Sequence, residues 1–245
     1  MPMSEIKPNR DPLRYYNEIA TSYNEHVNLS PYETYRFQQI TKVILRYLPK
    51  RSNLYVHDVG SGTGQFTIPY FEKVMPHCKI HASDFSVGMV KVCKKNFPNY
   101  EHSVQDVENM TVHSNTFDVV TSRQMLEHVP NPQKALKEMY RVLKPEGVVV
   151  LSTPSWFGGI APLYALKKLT GTMQPIDNWW APFKLRRYFK RAGFKDIKFT
   201  SVCFIPYHTI MPQFLVPVIK VIDTFISMLP FGRYFGRTLV FKARK

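Results

Sequence analysis

Three glycines at alternate positions, Gly60, Gly62 and Gly64, stand between two apolar runs in YVHDVGSGTGQFTIPY, residues 55–70. Glycine tolerates positive φ and leaves room for a ligand to lie against the backbone. A dinucleotide fingerprint, G-x-G-x-x-G, would need glycine at position 65, which is glutamine. The early third glycine argues against a pyrophosphate seated on a helix N-terminus. A ligand without a diphosphate still fits. Two carboxylates follow at telling places. Asp84 ends the run KIHASD, 20 residues past Gly64, where a carboxylate can accept from both hydroxyls of a ribose. Asp106 ends the next run, SVQD, where a carboxylate could accept from an exocyclic amine. A glycine loop and two such acids suit a nucleoside.

The elements that must position these residues alternate in type. Residues 53–59, 79–84, 100–105 and 117–122 read as strands, and 148–153, VVVLST, as a strand buried on both faces. Helices are expected over about 65–75 and over 86–97, the second opened by Ser86 as N-cap. A further amphipathic helix begins with Pro132 in its first turn. Ala135, Leu136, Met139, Val142 and Leu143 share one face, and Pro145 and Gly147 are expected to stop it. Alternation at this spacing predicts an α/β fold: a doubly wound, Rossmann-like, seven-stranded sheet. It is mostly parallel with an antiparallel last strand, and helical segments cover the acceptor site.

The expected organisation is an N-terminal helical cover (1–50), a cofactor-binding core (51–152) and an insertion over the active site (153–182). A core continuation (183–204), an amphipathic helical insertion (205–235) and a final core strand (236–245) complete it. In the second insertion, Phe214, Leu215, Val218, Ile219, Ile222, Phe225, Ile226 and Leu229 project to one side of a helix. Lys220, Asp223, Thr224 and Ser227 project to the other. The commonest meaning of such a helix is an apolar face packed on the core.

Composition narrows the class. The three cysteines, Cys78, Cys93 and Cys203, form no CxxC pair, so neither a disulfide framework nor a zinc site is expected. Buried thiols in a reducing cytosol are the simplest reading. No uninterrupted apolar run reaches the roughly 20 residues of a membrane-spanning helix, and the N-terminal MPMSEIKPNRDP lacks the apolar stretch of a signal peptide. The net charge of +15 is uneven: residues 181–245 hold 13 Lys and Arg against 2 Asp and Glu. Nucleic acid, an anionic lipid surface or an acidic small substrate could meet that charge, as could solvent alone.

In order and spacing, HDVGSGTG, ASDFSVGM, VQDVENM, FDVVTSRQMLEHVPNP and RVLKPEGVVVLST resemble class I S-adenosylmethionine-dependent methyltransferases. The resemblance spans roughly residues 55–152. It leans toward the type 11 methyltransferases of ubiquinone biosynthesis, with MLEHVPNP similar to the quinone O-methyltransferases. The resemblance implies S-adenosyl-L-methionine as cofactor. Asp58, Gly60, Ser61 and Gly62 would contact its methionine part. Asp84 would hold the ribose, with Phe85 and Met89 beside the adenine, and Asp106 and the Val107 backbone would read the adenine edge. Arg123 would meet the methionine end through its main chain, while Tyr23 and Arg36 would reach the same end from before the first strand. Some relatives carry E-x-x-E-H after the fourth strand, associated with magnesium. Gln124 replaces the first carboxylate here, and a hard dication prefers carboxylate oxygens over an amide, so no metal is expected.

Methyl transfer from a sulfonium is an in-line displacement, so the protein mainly supplies positioning and exclusion of water. Only a protonated nucleophile requires a base. His128 leads, since it follows the strand whose end would face the cofactor and a neutral imidazole can take a hydroxyl proton near pH 7. A capping role in the LEHVP turn is the alternative. His208, Tyr207 and Tyr16 are weaker candidates. Tyr15, Tyr16, Trp156, Phe157, Trp179, Trp180, Phe204, Tyr207 and Phe214 lie in the extra stretches and are expected to line an aromatic acceptor pocket.

The expected activity is methyl transfer to a hydrophobic small molecule, quinone-, polyketide- or lipid-like, on oxygen or carbon. The expected location is cytoplasmic, with an anionic membrane surface as a candidate partner. The basic stretch 184–198 and the 213–229 helix would do the seating. The alternatives are an RNA or protein methyltransferase using the basic C-terminal quarter, and a non-catalytic cofactor-binding protein. Nucleic acid is disfavoured because the positive charge is interleaved with apolar residues and no RNA-binding module is visible. The oligomeric state is left open.

Overall fold

The computed structural model describes residues 12–26, 31–158, 178–205 and 213–245. Most of the first insertion and the candidates Tyr207 and His208 lie outside the described residues. Three helices, α1 (Pro12–Ile19), α2 (Tyr23–His26) and α3 (Pro31–Tyr47), precede the sheet. The core then alternates: β1 (Tyr55–Val59), α4 (Ile68–Val74), β2 (Lys79–Asp84), α5 (Val87–Asn96), β3 (Glu101–Val104) and β4 (Phe117–Arg123). It continues through α6 (Pro132–Val142), β5 (Leu143–Pro154), α7 (Pro182–Arg191), β6 (Lys195–Val202), α8 (Val216–Met228) and β7 (Thr238–Arg244).

The seven strands run in the order β3-β2-β1-β4-β5-β7-β6. The pairs among the first five are parallel, and β7 is antiparallel to both β5 and β6. This is the expected sheet. Alternate side chains feed two cores. Val119, Val148, Val150 and Val240 face α3, α4 and α5. Val120, Val149, Leu151 and Phe241 face α6 and α7. Fully buried strands of this kind need both faces covered, which the helices on either side supply.

Local chemistry sets the helix starts. Ser86 Oγ accepts from the Met89 N–H (3.1 Å) and Asn131 Oδ1 from the Lys134 N–H (3.2 Å), each satisfying an otherwise orphaned donor. α6 ends at Val142, before the expected Pro145 and Gly147 stop. Leu143 is already extended (φ −70°, ψ 140°) and pairs with Phe117. The constraint that Pro145 imposes falls on Lys144, and the break comes one residue earlier, where the pairing with Phe117 begins.

The second insertion departs from expectation. α8 does not turn its apolar stripe to the core. Its buried residues are Val216, Ile219 and Asp223. The Asp223 carboxylate faces inward and accepts from the N–H groups of Phe204 (2.8 Å) and Ile205 (3.2 Å). Phe214, Val218, Ile222 and Phe225 are exposed instead. Two main-chain donors leaving the edge of β6 outrank hydrophobic projection, because unpaired buried donors are costly.

Candidate active site

The C-terminal ends of β1, β2 and β4 border one cavity of about 110 Å3, at the edge where parallel sheets gather ligands. The loop after β1 is pinned to β2: the Gly60 and Ser61 N–H groups both donate to Ser83 O (2.8 and 2.9 Å). The Gly62 N–H donates to Asp84 Oδ2 (2.9 Å). A Cβ at Gly60 (φ +71°) would stand 2.4 Å from Met125 Cγ. At Gly62 (φ +55°) it would meet nothing nearer than Tyr23 Cε1 at 4.0 Å. Packing and backbone conformation together require the first glycine. The second leaves a bare, left-handed backbone facing the cavity.

Of the residues singled out from sequence, Tyr23, Gly60, Ser61, Gly62, Asp84, Phe85, Met89, Arg123 and His128 are brought together on that cavity. Arg36, Asp58, Asp106 and Val107 do not line it. Arg36 is paired with Glu33 (2.6 Å) and donates to Thr238 Oγ1. Burial raises the Glu33 carboxyl, but Arg36 and Arg237 outweigh it and hold the group below the usual range. Arg36 therefore ties α3 toward β7 and does not reach into the cavity. Asp106 is exposed and accepts from the Glu108 N–H (2.8 Å). Val107 is buried among the α6-side core residues. Both stand past the end of β3, the strand beside β2.

The Arg123 side chain is engaged within the protein. Its guanidinium donates to Phe66 O (2.6 Å), Phe37 O (2.9 Å) and Thr41 Oγ1 (3.0 Å). Burial and then the nearby Arg36 charge push it down to about 10, where it still carries its charge at neutral pH. It clamps α3 to the segment entering α4. The aromatic rings that this clamp holds, Phe37 and Phe66, stack at 4.9 Å and line the cavity. Sequence reading missed both, although Phe66 lies only two residues past Gly64.

The expected aromatic lining is mostly elsewhere. Tyr16 reaches the cavity, with its ring 5.9 Å from both Phe85 and His128. Trp180 is buried in the α6-side core. Trp156, Phe157 and Phe214 are exposed and away from the cavity. Tyr15, Trp179 and Phe204 do not line it either. Gln124 lines the cavity and donates from Nε2 to Ser152 Oγ (3.3 Å). Glu127 is buried and accepts from Thr153 Oγ1 (3.1 Å).

Electrostatically the site is built on held carboxylates. Burial raises Asp84, against the hydrogen bonds from the Ser86, Gly62 and Phe85 N–H groups. Burial pushes Asp58 up to about 7, with Thr67 and Arg123 opposing and Asp84 adding to the rise. Neither Asp58 oxygen has a hydrogen-bond partner among the described residues. That carboxylate, fully buried behind the glycine loop with the Thr67 hydroxyl and the Arg123 charge as its stabilising neighbours, suits a cationic ligand group nearby. Burial, then the Asp84 charge, pushes the Tyr23 hydroxyl up to about 12, so it stays a neutral donor.

A seven-stranded sheet with this reversed last strand and this glycine loop defines the class I methyltransferase architecture. Residues 57–151 match the family model described as a methyltransferase domain. A demethylmenaquinone methyltransferase of Staphylococcus aureus is 28% identical over 222 residues, covering 81% of this chain and 91% of that protein. A SAM-dependent methyltransferase from Thermotoga maritima superposes with a TM-score of 0.70 at 18% identity, over 95% of this chain and 99% of its own. Phosphoethanolamine N-methyltransferase 2 of Haemonchus contortus, solved with S-adenosyl-L-methionine, gives 0.61 at 18% identity, over 85% and 52%. At those identities the structural likeness shows the fold. Residues 57–151 thus carry a methyltransferase domain on a methyltransferase fold, and these similarities support S-adenosylmethionine as the methyl donor. The residues present fit that cofactor: a bare backbone at Gly62, a carboxylate beside it and a buried acid behind.

Proposed function

We propose that the chain methylates a ring-bearing, apolar small molecule of quinone-like character, on oxygen or carbon. The observation that carries this is the division of the cavity wall. Asp84 and the loop amides form a polar part on the β1–β2 side, while Phe37, Phe66, Met125 and Tyr16 offer apolar faces elsewhere, with Thr67, Arg123, Gln124 and His128 among them. The 28% identical relative named for demethylmenaquinone methylation supports the acceptor class. Bound S-adenosylmethionine supplies an electrophilic methyl group on a sulfonium. Asp84 accepts from the ribose hydroxyls, Gly60, Ser61 and Gly62 let the ligand lie on the backbone, and Phe85 and Met89 flank the adenine. Asp106 and Val107 read its edge, and the Asp58 charge offsets the cationic end from behind the loop.

His128 lines the cavity and takes the proton when the acceptor attacks through a hydroxyl. The Tyr16 ring, edge-on at 5.9 Å, positions that imidazole and shields it from water. The test is transfer of labelled methyl to a naphthoquinol lacking its ring methyl, beside phosphoethanolamine and bulk RNA. Label in the quinol is the expected result, and label only in phosphoethanolamine or RNA would contradict it. His128→Gln should lower kcat about a hundredfold or more while leaving affinity for S-adenosylhomocysteine unchanged. An unaltered kcat would remove the base from the mechanism.

A further inference from the structure

Helix α8 carries an outward stripe that no part of the catalytic account uses. Val218, Val221, Ile222, Phe225 and Met228, with Phe214 just before the helix, fall within about a third of its circumference. All six are exposed, Phe214 and Met228 at 75% and Val221 at 71%. The opposite side of the helix is the packed one, held by Val216, Ile219 and Asp223. Phe231 and Phe235, past the end of the helix, are exposed as well. Phe235 lies 6.1 Å from Phe157, which lies 6.0 Å from the exposed Phe183. A run of apolar residues at helical spacing, turned wholly to solvent, marks an interaction surface.

Charge and topology choose the partner. Lys220, Arg233 and Lys184 are all exposed, Lys220 on the flank of α8 with its Nζ 5.5 Å from the Tyr35 ring and Lys184 over Trp180. Across residues 181–245 there are 13 Lys and Arg but 2 acids. Asp223 is turned inward, and Asp196 is paired with Arg244 at the far end of β6. No carboxylate of α7 or α8 therefore faces outward. Two copies meeting through this stripe would bring lysine and arginine against like charge, whereas an anionic interface complements them. The surface also sits where it would be useful. The chain leaves β6 after Val202 and enters β7 at Thr238, which pair with each other at the sheet edge on which the cavity also lies.

We propose that α8 and the phenylalanines around Phe235 seat the enzyme on an anionic lipid bilayer. The apolar stripe enters the headgroup boundary, and Lys220, Arg233 and Lys184 contact lipid phosphates. Among the described residues no helix is long and apolar enough to cross a membrane, so the contact is peripheral. This inference does not rest on the identity of the acceptor.

The test is co-sedimentation of the full chain with vesicles of phosphatidylcholine, alone or doped with phosphatidylglycerol. Binding to the doped vesicles is expected, weakening about fivefold for each basic residue removed (Lys184→Gln, Arg233→Gln). The triple variant Val221→Ser, Phe225→Ser, Met228→Ser should lose at least about tenfold in partitioning. Its unfolding midpoint and its affinity for S-adenosylhomocysteine should stay at the parent values, since all three side chains are exposed. Equal binding to both vesicle types, binding to neither, or undiminished binding by the triple variant would overturn the proposal. So would light scattering that shows a dimer dissolved by the same variant without vesicle binding. Failure of quinol methylation in detergent alongside intact vesicle binding would instead overturn the acceptor assignment.

Discussion

At the scale of single residues, two buried acids, Asp84 and Asp58, differ in what holds them. Asp84 already accepts from the Gly62 and Ser86 N–H groups, so it is aimed and ionisable. Asp84→Ala should weaken S-adenosylhomocysteine binding by about ten- to a hundredfold, the worth of hydrogen bonds to a charged group. Calorimetric titration reads this directly, and an unchanged affinity would remove the carboxylate from the ribose site. Asp58 has no such partners, and its sign differs from that of a typical salt-bridged acid. The folded value of about 7 lies above the ordinary 3.8. Between those limits the folded chain holds a proton that the unfolded chain has lost, so stability falls as pH rises through that window. Asp58→Asn should flatten that slope in urea unfolding series. A cationic ligand group nearby should also release the proton, so binding near pH 7 should show buffer-dependent heats that Asp58→Asn abolishes. Asp84 was legible because it ends an apolar run, and Asp58 because HDVGSGTG resembles the glycine loop of class I methyltransferases. The neighbours that hold Asp58 were not, because hydrogen-bond satisfaction depends on atoms far apart in sequence.

At the scale of elements, the core was legible and the covers were not. β1, β2, β4 and the Ser86-capped helix follow from runs of β-branched residues and a single cap. Their neighbours are fixed by the sheet order. The covering helices are placed by tertiary contacts that periodicity cannot see. Asn17 of α1 is one: its Oδ1 accepts from the Gly88 N–H (2.8 Å) and the Ser86 hydroxyl (2.9 Å), tying α1 to the start of α5. The helix that carries Tyr16 contributes that ring to the cavity wall, so its hold on α5 bears on how readily a cofactor enters or leaves. Asn17→Ala should therefore speed release of S-adenosylhomocysteine by about fivefold, the worth of one hydrogen bond, as stopped-flow displacement would show. Asp223 is the other such contact. A helical projection counts it as the solvent side, yet it holds α8 to the exit of β6. Asp223→Ala should cost about 2 kcal/mol in urea unfolding by stranding two buried N–H groups. A loss within error would mean that those donors find other partners.

At the scale of the whole molecule, one edge of the sheet gathers everything the account uses. The glycine loop, the strand-end acid, the aromatic wall and the outward face of α8 all lie where the parallel strands end. The basic C-terminal quarter was visible in composition, and its apolar stripe was visible as periodicity. Which face of the helix turns outward was not visible, because it depends on Asp223 reaching the main chain that leaves β6. The most direct measurement is a crystal structure of the chain with S-adenosylhomocysteine bound. The account predicts both ribose hydroxyls within hydrogen-bond distance of Asp84 and the homocysteine chain over the bare backbone at Gly62. It also predicts the sulfur facing the space between Tyr16, Phe66 and His128. A ligand whose sugar sits away from Asp84, or whose sulfur turns from His128, would contradict it.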